Sequence, residues 1–584
     1  VDRAKVADAL EEIGLLLELL GENPFKTRAY ANGARILRGL DRDLGELIRT
    51  KELGTIKGFG EALVEKVTVL HETGSLPYLE KLRREVPPGL LAWLDIPGLG
   101  PKKARTIHVA LGIETLDELE EAARAGKIRV LEGFGETSEK RILEGIARVR
   151  SHAGRFLMPV ARAEADRLVA LLRGVRGVHR VEAAGSVRRR AETSKDIDLV
   201  VVAEDAETAM DAFVSAGGVV EVTGRGETKC SLRLASGLSS DLRVVPERSF
   251  PFALCYFTGS KAHNVALRSR AQKRGLKLNE YALVREANGE EIPCADEEGI
   301  YRELGLGFIP PELREDRGEI EAAEEGRLPV LLEDGDLRGV LHCHSTWSDG
   351  QDSVARMADA ARERGMDYLG LTDHSRSATY ARGLTIDRVR EQHAEIDAWN
   401  AKERGGFRIL KGIECDILAE GALDYPDEVL ASFDFVIASV HSRFHRSEQE
   451  QTARIVRALR NPWVDILGHP TGRLLLERDP YPVDLFRVLD AAIEEGVAVE
   501  INAHPMRLDL DTAALRYGIP KGMKTSIDPD AHETAGLDDV RWGVGVARRG
   551  WCTADDVLNA WPLERLLRWF EERKRRARRR GAKA

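Results

Sequence analysis

Two aspartates two residues apart, Asp196 and Asp198, open a run of branched apolar residues, Ile197, Leu199, Val200, Val201 and Val202. Such residues favour a strand, and residues two apart on a strand point to the same face, roughly 6.5–7 Å apart. Both carboxylates therefore aim at one spot, just after the turn Gly185-Ser186-Val187-Arg188-Arg189-Arg190. Paired carboxylates offer hard oxygen ligands to Mg²⁺, and a Gly-Ser turn offers amides and a hydroxyl to phosphate. A solvated Asp-x-Asp on an edge strand is the other reading, and the motif alone leaves both open. Asp241, in Ser240-Asp241-Leu242-Arg243-Val244-Val245, adds a third carboxylate on a second β-rich run. Three carboxylates can hold two ions about 3.5–4 Å apart, suited to nucleotidyl transfer.

A second set of chemistry-bearing residues lies further on: His342-Cys343-His344, Asp349, Asp373-His374, Glu414, His441, His469 and Asp530-Ala531-His532. They follow short apolar runs near 338–342, 368–372, 408–413, 434–440, 464–468, 498–502 and 525–529. Strands alternating with helices predict a parallel β/α architecture, whose chemistry gathers at the C-terminal ends of the strands. A lone histidine there is more often a core or surface residue than a ligand. Here six of seven runs end in a His, Asp or Glu, which chance placement does not explain. Mixed nitrogen and oxygen donors suit Zn²⁺, Mn²⁺ or Fe²⁺ better than Mg²⁺. The set is too large for one ion. His504, in Ile501-Asn502-Ala503-His504-Pro505, ends the sixth run and is either a supporting residue or a tolerated one.

The N-terminal stretch is helical in pattern. Val6, Leu10, Ile13, Leu17 and Leu20 follow the 3.6-residue period, and Asn23-Pro24 closes that helix. A hairpin grammar then recurs at Ile56-Lys57-Gly58-Phe59-Gly60, at Ile96-Pro97-Gly98-Leu99-Gly100 and, more weakly, at Leu131-Glu132-Gly133-Phe134-Gly135. Each leads into a helix, whose positive end with outward amides can seat one phosphate of a nucleic-acid backbone. A Gly-rich turn between packed helices is the alternative for any single copy. Repetition, with Lys102, Lys103 and Arg105 after the second copy, favours sequence-independent DNA contact. The third copy, flanked by Glu132 and Glu136, stays open to a purely structural reading.

These features must sit in a chain of 584 residues, too long for one core and predicted to form three or four domains. A net charge of −10 argues against a uniformly nucleic-acid-coating protein but leaves local basic patches possible. Six scattered cysteines without a C-x-x-C pair predict reduced thiols rather than a disulfide framework or zinc knuckle. No run is long and apolar enough for a membrane span, so a cytoplasmic protein is expected.

Across residues 185–281 the motifs resemble a family X DNA polymerase, the DNA polymerase beta type. Gly185, Ser186, Arg189, Asp196, Asp198 and Asp241 match that family's nucleotide and metal site, and Tyr256-Phe257-Thr258-Gly259-Ser260 and Asn279-Glu280-Tyr281 match two further segments. The resemblance implies that Asp196, Asp198 and Asp241 are catalytic and hold two Mg²⁺ or Mn²⁺ ions. Nucleotide binding would fall to Gly185, Ser186, Arg189, Lys195, Tyr256, Phe257, Gly259 and Asn264, with Tyr256 and Phe257 lining the sugar pocket. Arg268 would reach the template, and Arg243, Gly58, Gly60, Gly98, Gly100, Lys102 and Lys103 would also contact DNA. Lys195 stands where the pattern has glycine, and Arg155 is the nearest match to an upstream triphosphate arginine. Lys66 falls at the family's Schiff-base lysine for 5′-deoxyribose phosphate lyase activity, with Lys26 and Tyr30 in support, although Ala62 replaces a further lysine. The other reading of Lys66 is an exposed lysine holding a DNA 5′-phosphate.

Residues from about 338 to 575 resemble the PHP (polymerase and histidinol phosphatase) domain, a distorted seven-stranded barrel with three metals. That resemblance implies Zn²⁺ or Mn²⁺ ions on three ligand sets. The first is His342, His344, Glu414 and Asp530; the second Glu414, His441 and His469; the third Asp349, His374 and His532. The expected architecture is multidomain α/β, in six segments. Residues 1–90 form a lyase-like helical domain, 91–154 a second helix-hairpin-helix subdomain, 155–250 the palm and 251–317 the nascent-base-pair subdomain. A linker or short helix at 318–337 precedes the PHP domain at 338–584, whose tail is strongly basic from Arg565 through Arg580. That tail is either a docked helix with a charged end or an extra DNA contact.

The leading expectation is a monomeric polymerase acting on gapped or primer–template DNA with dNTPs. Its PHP domain would shorten single-stranded 3′ ends and process 3′ or abasic ends. A polymerase carrying a small-molecule phosphatase, and a non-catalytic DNA-end scaffold, are the alternatives.

Overall fold

The computed structural model describes residues 3–38, 44–96 and 98–581. They form two compact units, 1–153 and 154–584. Among the described residues no helix is long and apolar enough to cross a membrane. All six cysteines are free, and five of them are buried.

Among its described residues the first unit has helices and turns but no strand. Val6, Leu10, Ile13 and Leu17 of the helix Arg3–Leu20 are buried, as their period predicts. Asn23 Oδ1 accepts the Phe25 amide at 2.9 Å, and Pro24 begins the next helix, Pro24–Arg38. The three glycine hairpins share one geometry. Gly58, Gly98 and Gly133 adopt φ of +109°, +80° and +82°, which only glycine takes cheaply. The second glycines, Gly60, Gly100 and Gly135, are extended and cap the helices Glu61–Thr73, Pro101–Leu111 and Glu136–His152. Pro97 of the second hairpin lies outside the described residues.

The second unit begins with a five-stranded sheet in the order Val178–Ala183, Asp196–Ala203, Ser239–Val244, Lys229–Leu234, Val219–Arg225. Asp196–Ala203 and Ser239–Val244 run parallel, with Asp198 opposite Asp241. The helices Met158–Arg173 and Ala206–Val214 bury their apolar stripes on one face. The helix Phe250–Thr258 covers Val200 and Val202 on the other. A small subdomain follows, with the helix Lys261–Lys273 and an antiparallel sheet of Leu276–Leu278, Leu283–Arg285 and Glu291–Ile292. In the stretch expected as a linker or short helix, the helix Glu319–Glu324 packs inward, with Glu319 fully buried on His263 at 2.7 Å.

The rest is a parallel barrel in two sheets. One holds Gly339–Val340, Tyr368–Leu371 and Arg408–Lys411; the other holds Glu414–Asp416, Ile437–Ser439, Ile466–Leu467, Ala498–Asn502 and Thr525–Asp528. The third expected strand breaks at Gly412-Ile413 and serves both sheets. Parallel bridges between His374 and Glu414, and between Cys343 and Ala531, join the sheets at two seams. The barrel and the segment leading into it pack on the preceding part of this unit through ion pairs: Arg190–Asp334 at 2.7 Å, Arg548–Glu312 at 2.8 Å and Arg473–Glu192 at 2.8 Å. The C-terminal helix Leu563–Gly581 docks rather than projecting. Phe570 stacks on Phe435 at 5.3 Å, and buried Arg573 and Lys574 reach Asp465 at 2.8 and 3.4 Å. Arg575, Arg576 and Arg578 face solvent. The side chains of Arg579 and Arg580 lie outside the described residues.

Candidate active sites

The first site is the cleft beside the paired strands. Asp196, Asp198, Gly185, Ser186, Arg189, Tyr256, Phe257, Gly259, Asn264 and Arg268 line one cavity of about 570 Å³. Gly185 has φ +59°, and a Cβ there would collide with Asp198 Oδ2, so glycine is required twice over. Asp196 is exposed and Asp198 half-buried. Burial, then the neighbouring Asp196 and Asp241 carboxylates, push the Asp198 carboxyl up to about 7. Lys229 meets Asp241 at 3.0 Å. Converging carboxylates that repel one another fit divalent cations.

The cleft's other walls are pre-set by the protein. Ser186 Oγ is 2.5 Å from Ser194 Oγ, which donates to the Asp196 carbonyl at 2.7 Å. Arg189 spends two donors on the Thr258 carbonyl (2.5 Å) and Glu315 (3.0 Å). Tyr256 and Phe257 meet edge to face at 5.2 Å, and Asn264 Nδ2 donates to the Tyr256 carbonyl at 2.7 Å. Arg243 lies over the Phe257 ring at 5.3 Å. Lys195 is exposed at the start of the strand. Arg155 binds Thr193 through its hydroxyl (2.8 Å) and carbonyl (3.1 Å), bracing the loop before Asp196.

The barrel site is denser. The Cys343–Ala531 bridge brings His342 and His344 to Asp530, at 3.5 and 3.1 Å, and His532 to Asp349 at 3.4 Å. The His374–Glu414 bridge sets those two side chains 2.9 Å apart. Glu414 also meets His469 at 2.9 Å and His441 at 3.1 Å. Three groups are close enough to hold an ion: His344, Asp349, His374 and His532; His342, His344 and Asp530; His374, Glu414 and His441. Against the expected sets, His344 joins Asp349, His374 and His532, Glu414 is absent from the group of His342, His344 and Asp530, and His374 stands where His469 was expected beside Glu414 and His441. His469 and Asp530 hold positive φ, +23° and +53°, a strain typical of functional sites.

These residues fit divalent metals. His342 Nε2, His344 Nδ1, His374 Nδ1, His469 Nδ1 and Glu414 Oε2 are buried without a hydrogen bond of acceptable geometry. Leaving such atoms unsatisfied is costly, and cations held by these donors would offset that cost. Burial and the facing His532 and His374 rings push His344 down to about 3. Burial works against a charged His374, but Glu414 and Asp349 outweigh it and push it up to about 10.

Supporting residues went unread in the sequence. Glu500 accepts from His342 Nδ1 at 2.6 Å and from the His469 amide at 2.6 Å. Asp416 lies 2.6 Å from His441 Nδ1. Such partners fix the ring so that its other nitrogen faces the metal. A signal existed in both cases: Glu500 is a charge inside an apolar run, and Asp416 is two residues from Glu414. His504 lies outside the centre, its ring accepting the Met506 amide at 3.3 Å, while Asn502 links Glu500 and Asp530 at 3.3 and 3.1 Å.

In the helical unit, Tyr78 was also unread. Its ring lies under Lys66 at 5.2 Å and Lys26 at 5.8 Å and stacks on Tyr30 at 6.4 Å. Burial, then Tyr78, push the Tyr30 phenol up to about 12. Lys66 Nζ donates to the Ala62 carbonyl at 3.2 Å. Gly58, Gly60, Gly98 and Gly100 face solvent, as do Lys102 and Lys103, the latter 5.8 Å from the Phe134 ring.

Comparison with known proteins matches residues 1–76 to the helix-hairpin-helix domain and 91–148 to the SAM-like helix-hairpin-helix tandem. Residues 253–315 match the DNA polymerase beta thumb and 341–504 the PHP domain. The DNA polymerase/3′-5′ exonuclease PolX of Bacillus subtilis (strain 168) is 39% identical over 557 residues, 95% of this chain and 97% of that protein. A probable phosphatase of Thermoanaerobacter sp. (strain X514) is 29% identical over 260 residues, 41% of this chain and 98% of its own length. Another, from Caldanaerobacter subterraneus subsp. tengcongensis, is 44% identical over 174 residues, 28% of this chain and 63% of its own.

Proposed function

The chain belongs to the family X DNA polymerases that carry a C-terminal PHP domain, and from that premise we propose that it extends primers across short DNA gaps and shortens 3′ ends at a second centre. The observation that carries the reading is the register pairing Asp198 with Asp241 beside Asp196, in a chain that also holds the imidazole-rich barrel centre. Repair of short gaps is the role that this pair of activities suits.

Asp196, Asp198 and Asp241 would hold two Mg²⁺ or Mn²⁺ ions; His342, His344, Asp349, His374, Glu414, His441, His469, Asp530 and His532 would hold up to three Mn²⁺ or Zn²⁺ ions. When bound, such ions supply charge to phosphoryl oxygens and favour deprotonation of the attacking oxygen. The chain's own residues do the rest. Gly185 lets the phosphate-facing turn close on Asp198. Tyr256 and Phe257 would wall the sugar pocket, with Asn264 toward the base and Arg268 toward the template. Glu500 and Asp416 orient His342 and His441. The glycine hairpins, with Lys102 and Lys103, would hold the DNA backbone without reading sequence. Lys66, flanked by Tyr78, Lys26 and Tyr30, is our candidate for lyase chemistry on a 5′-sugar phosphate.

We assign these roles to segments 1–90, 91–154, 155–250, 251–317, 318–337 and 338–584 of a monomeric, cytoplasmic protein. A gapped, 5′-labelled primer–template with dNTPs, in Mg²⁺ and then Mn²⁺, tests the reading: both longer and shorter primers are expected. Neither appearing in either metal defeats it. The probable phosphatases support a second reading, in which the barrel hydrolyses a small phosphorylated metabolite. Faster release of phosphate from such a compound than of nucleotides from single-stranded DNA would favour it.

A further inference from the structure

Tyr380 borders the barrel centre without being a metal donor or a support for one. The Tyr380 ring lies with its centroid 6.0 Å from that of His374 and 6.5 Å from that of His441, on the side where His374, Glu414 and His441 cluster. His374 is 5% exposed, whereas Tyr380 is 69% exposed. A largely exposed aromatic side chain thus stands at the edge of a buried ionic centre.

This exposure does not come from a loose loop. Tyr380 occupies the short turn Thr379–Ala381, whose flanks are tied down at several points. Ser377 N donates to Asp424 at 2.7 Å, Ala381 N to the Ala378 carbonyl at 3.0 Å, and Leu384 N to the His374 carbonyl at 2.8 Å. Ala378 and Ala381 are buried beneath, at 0% and 1% exposure. The backbone is anchored, and the exposed ring projects from it beside the centre as a flat apolar face.

We propose that Tyr380 stacks against the base of the nucleotide being removed, so that the barrel grips an unpaired 3′ end by a base as well as by its phosphate. The proposal rests on the reading of the barrel as a DNA 3′ exonuclease. A phosphate drawn to the metal donors carries a sugar and base beside it, and an exposed ring next to the centre offers the base's π-face a partner. Base–aromatic stacking tolerates any sequence, as shortening of arbitrary ends requires. It also demands a base already out of its duplex stack, which selects single-stranded ends. A phosphorylated metabolite without a base gains nothing from the ring. Tyr380 is thus a positioning residue for substrate.

The test uses the full chain and its Tyr380→Ala and Tyr380→Phe variants. A single-stranded oligonucleotide carries 2-aminopurine at its 3′ end, linked by a phosphorothioate that resists cleavage. Binding to wild type and to Tyr380→Phe should quench the fluorophore, and binding to Tyr380→Ala should not. With ordinary 3′ ends, Tyr380→Ala should raise KM roughly 5- to 100-fold with kcat nearly unchanged, the range that stacking on one ring commands. With a 3′-terminal abasic analogue, wild type and Tyr380→Ala should match. Primer extension at the palm serves as the folding control. Wild-type quenching and KM in Tyr380→Ala, in a chain that shortens DNA, overturn the proposal alone. Failure of the wild type to release nucleotides from any 3′ end would defeat the exonuclease reading, and the proposal with it.

Discussion

Gly185 carries two constraints at once, a left-handed φ of +59° and contact with Asp198, so it concentrates the palm's tolerance in one atom. Gly185→Ala should strain the turn and displace the Asp198 carboxylate. A shift of about 1 Å at a reacting centre can cost on the order of 100-fold. A loss of that order in kcat/KM for extension, with 3′ shortening unchanged, is the expected outcome. Glu500 is the corresponding residue in the barrel, holding both His342 and the His469 backbone. Removing such a support typically costs about 10–100-fold in metal affinity. Glu500→Gln should therefore shift the Mn²⁺ concentration for half-maximal shortening upward by that factor while leaving extension alone. The candidate ligand residues could be proposed from the sequence because each sits in a local pattern, whereas the φ of Gly185 and its contact with Asp198, which joins two elements, could not. Glu500 could not be assigned a partner, because in a parallel strand buried on both faces alternation does not say which way a side chain points. Tyr78 was hidden for a related reason: its partners Lys26, Tyr30 and Lys66 come from other helices.

At the scale of elements, the hairpins were legible because the positive-φ glycine and the capping glycine are two residues apart in one stretch of chain. Their shared φ values make the third copy a geometric equal of the first two, whatever its acidic neighbours do. If the second hairpin seats a phosphate, Lys102→Glu with Lys103→Glu should weaken binding to DNA of any sequence alike. The slope of log affinity against log salt should shrink by about 0.9 per lost phosphate contact on duplex. An unchanged slope would mean that this helix end does not meet the backbone. The register of Asp198 against Asp241 was not legible, since strands some forty residues apart pair through tertiary packing rather than local pattern. The same holds for the two bridges that draw His374 to Glu414 and Cys343 to Ala531.

At the scale of the whole unit 154–584, a buried ionic network ties the palm to the subdomain that follows it. Glu297 accepts from Arg188 and Arg314, with Arg314 at 2.6 Å and fully buried. Burial works against a charged Glu297, but Arg314 and Arg188 outweigh it and bring its carboxyl down to about 2. A carboxyl lowered on folding stabilises the fold above its unfolded pKa, near 4.5, and that stabilisation fades as pH falls from there toward 2. Glu297→Ala strands two guanidinium groups and should cost about 3–5 kcal/mol near neutral pH, read as a lower unfolding midpoint. The gap between wild type and variant should narrow as pH falls below 4.5. The central claim is that one chain holds two independent phosphate-chemistry centres, and a reciprocal pair of variants measures it. On a labelled, gapped primer–template, Asp196→Ala should abolish extension and keep 3′ shortening, and His344→Ala should abolish shortening and keep extension. A variant that folds as wild type yet loses both activities would contradict the two-centre account.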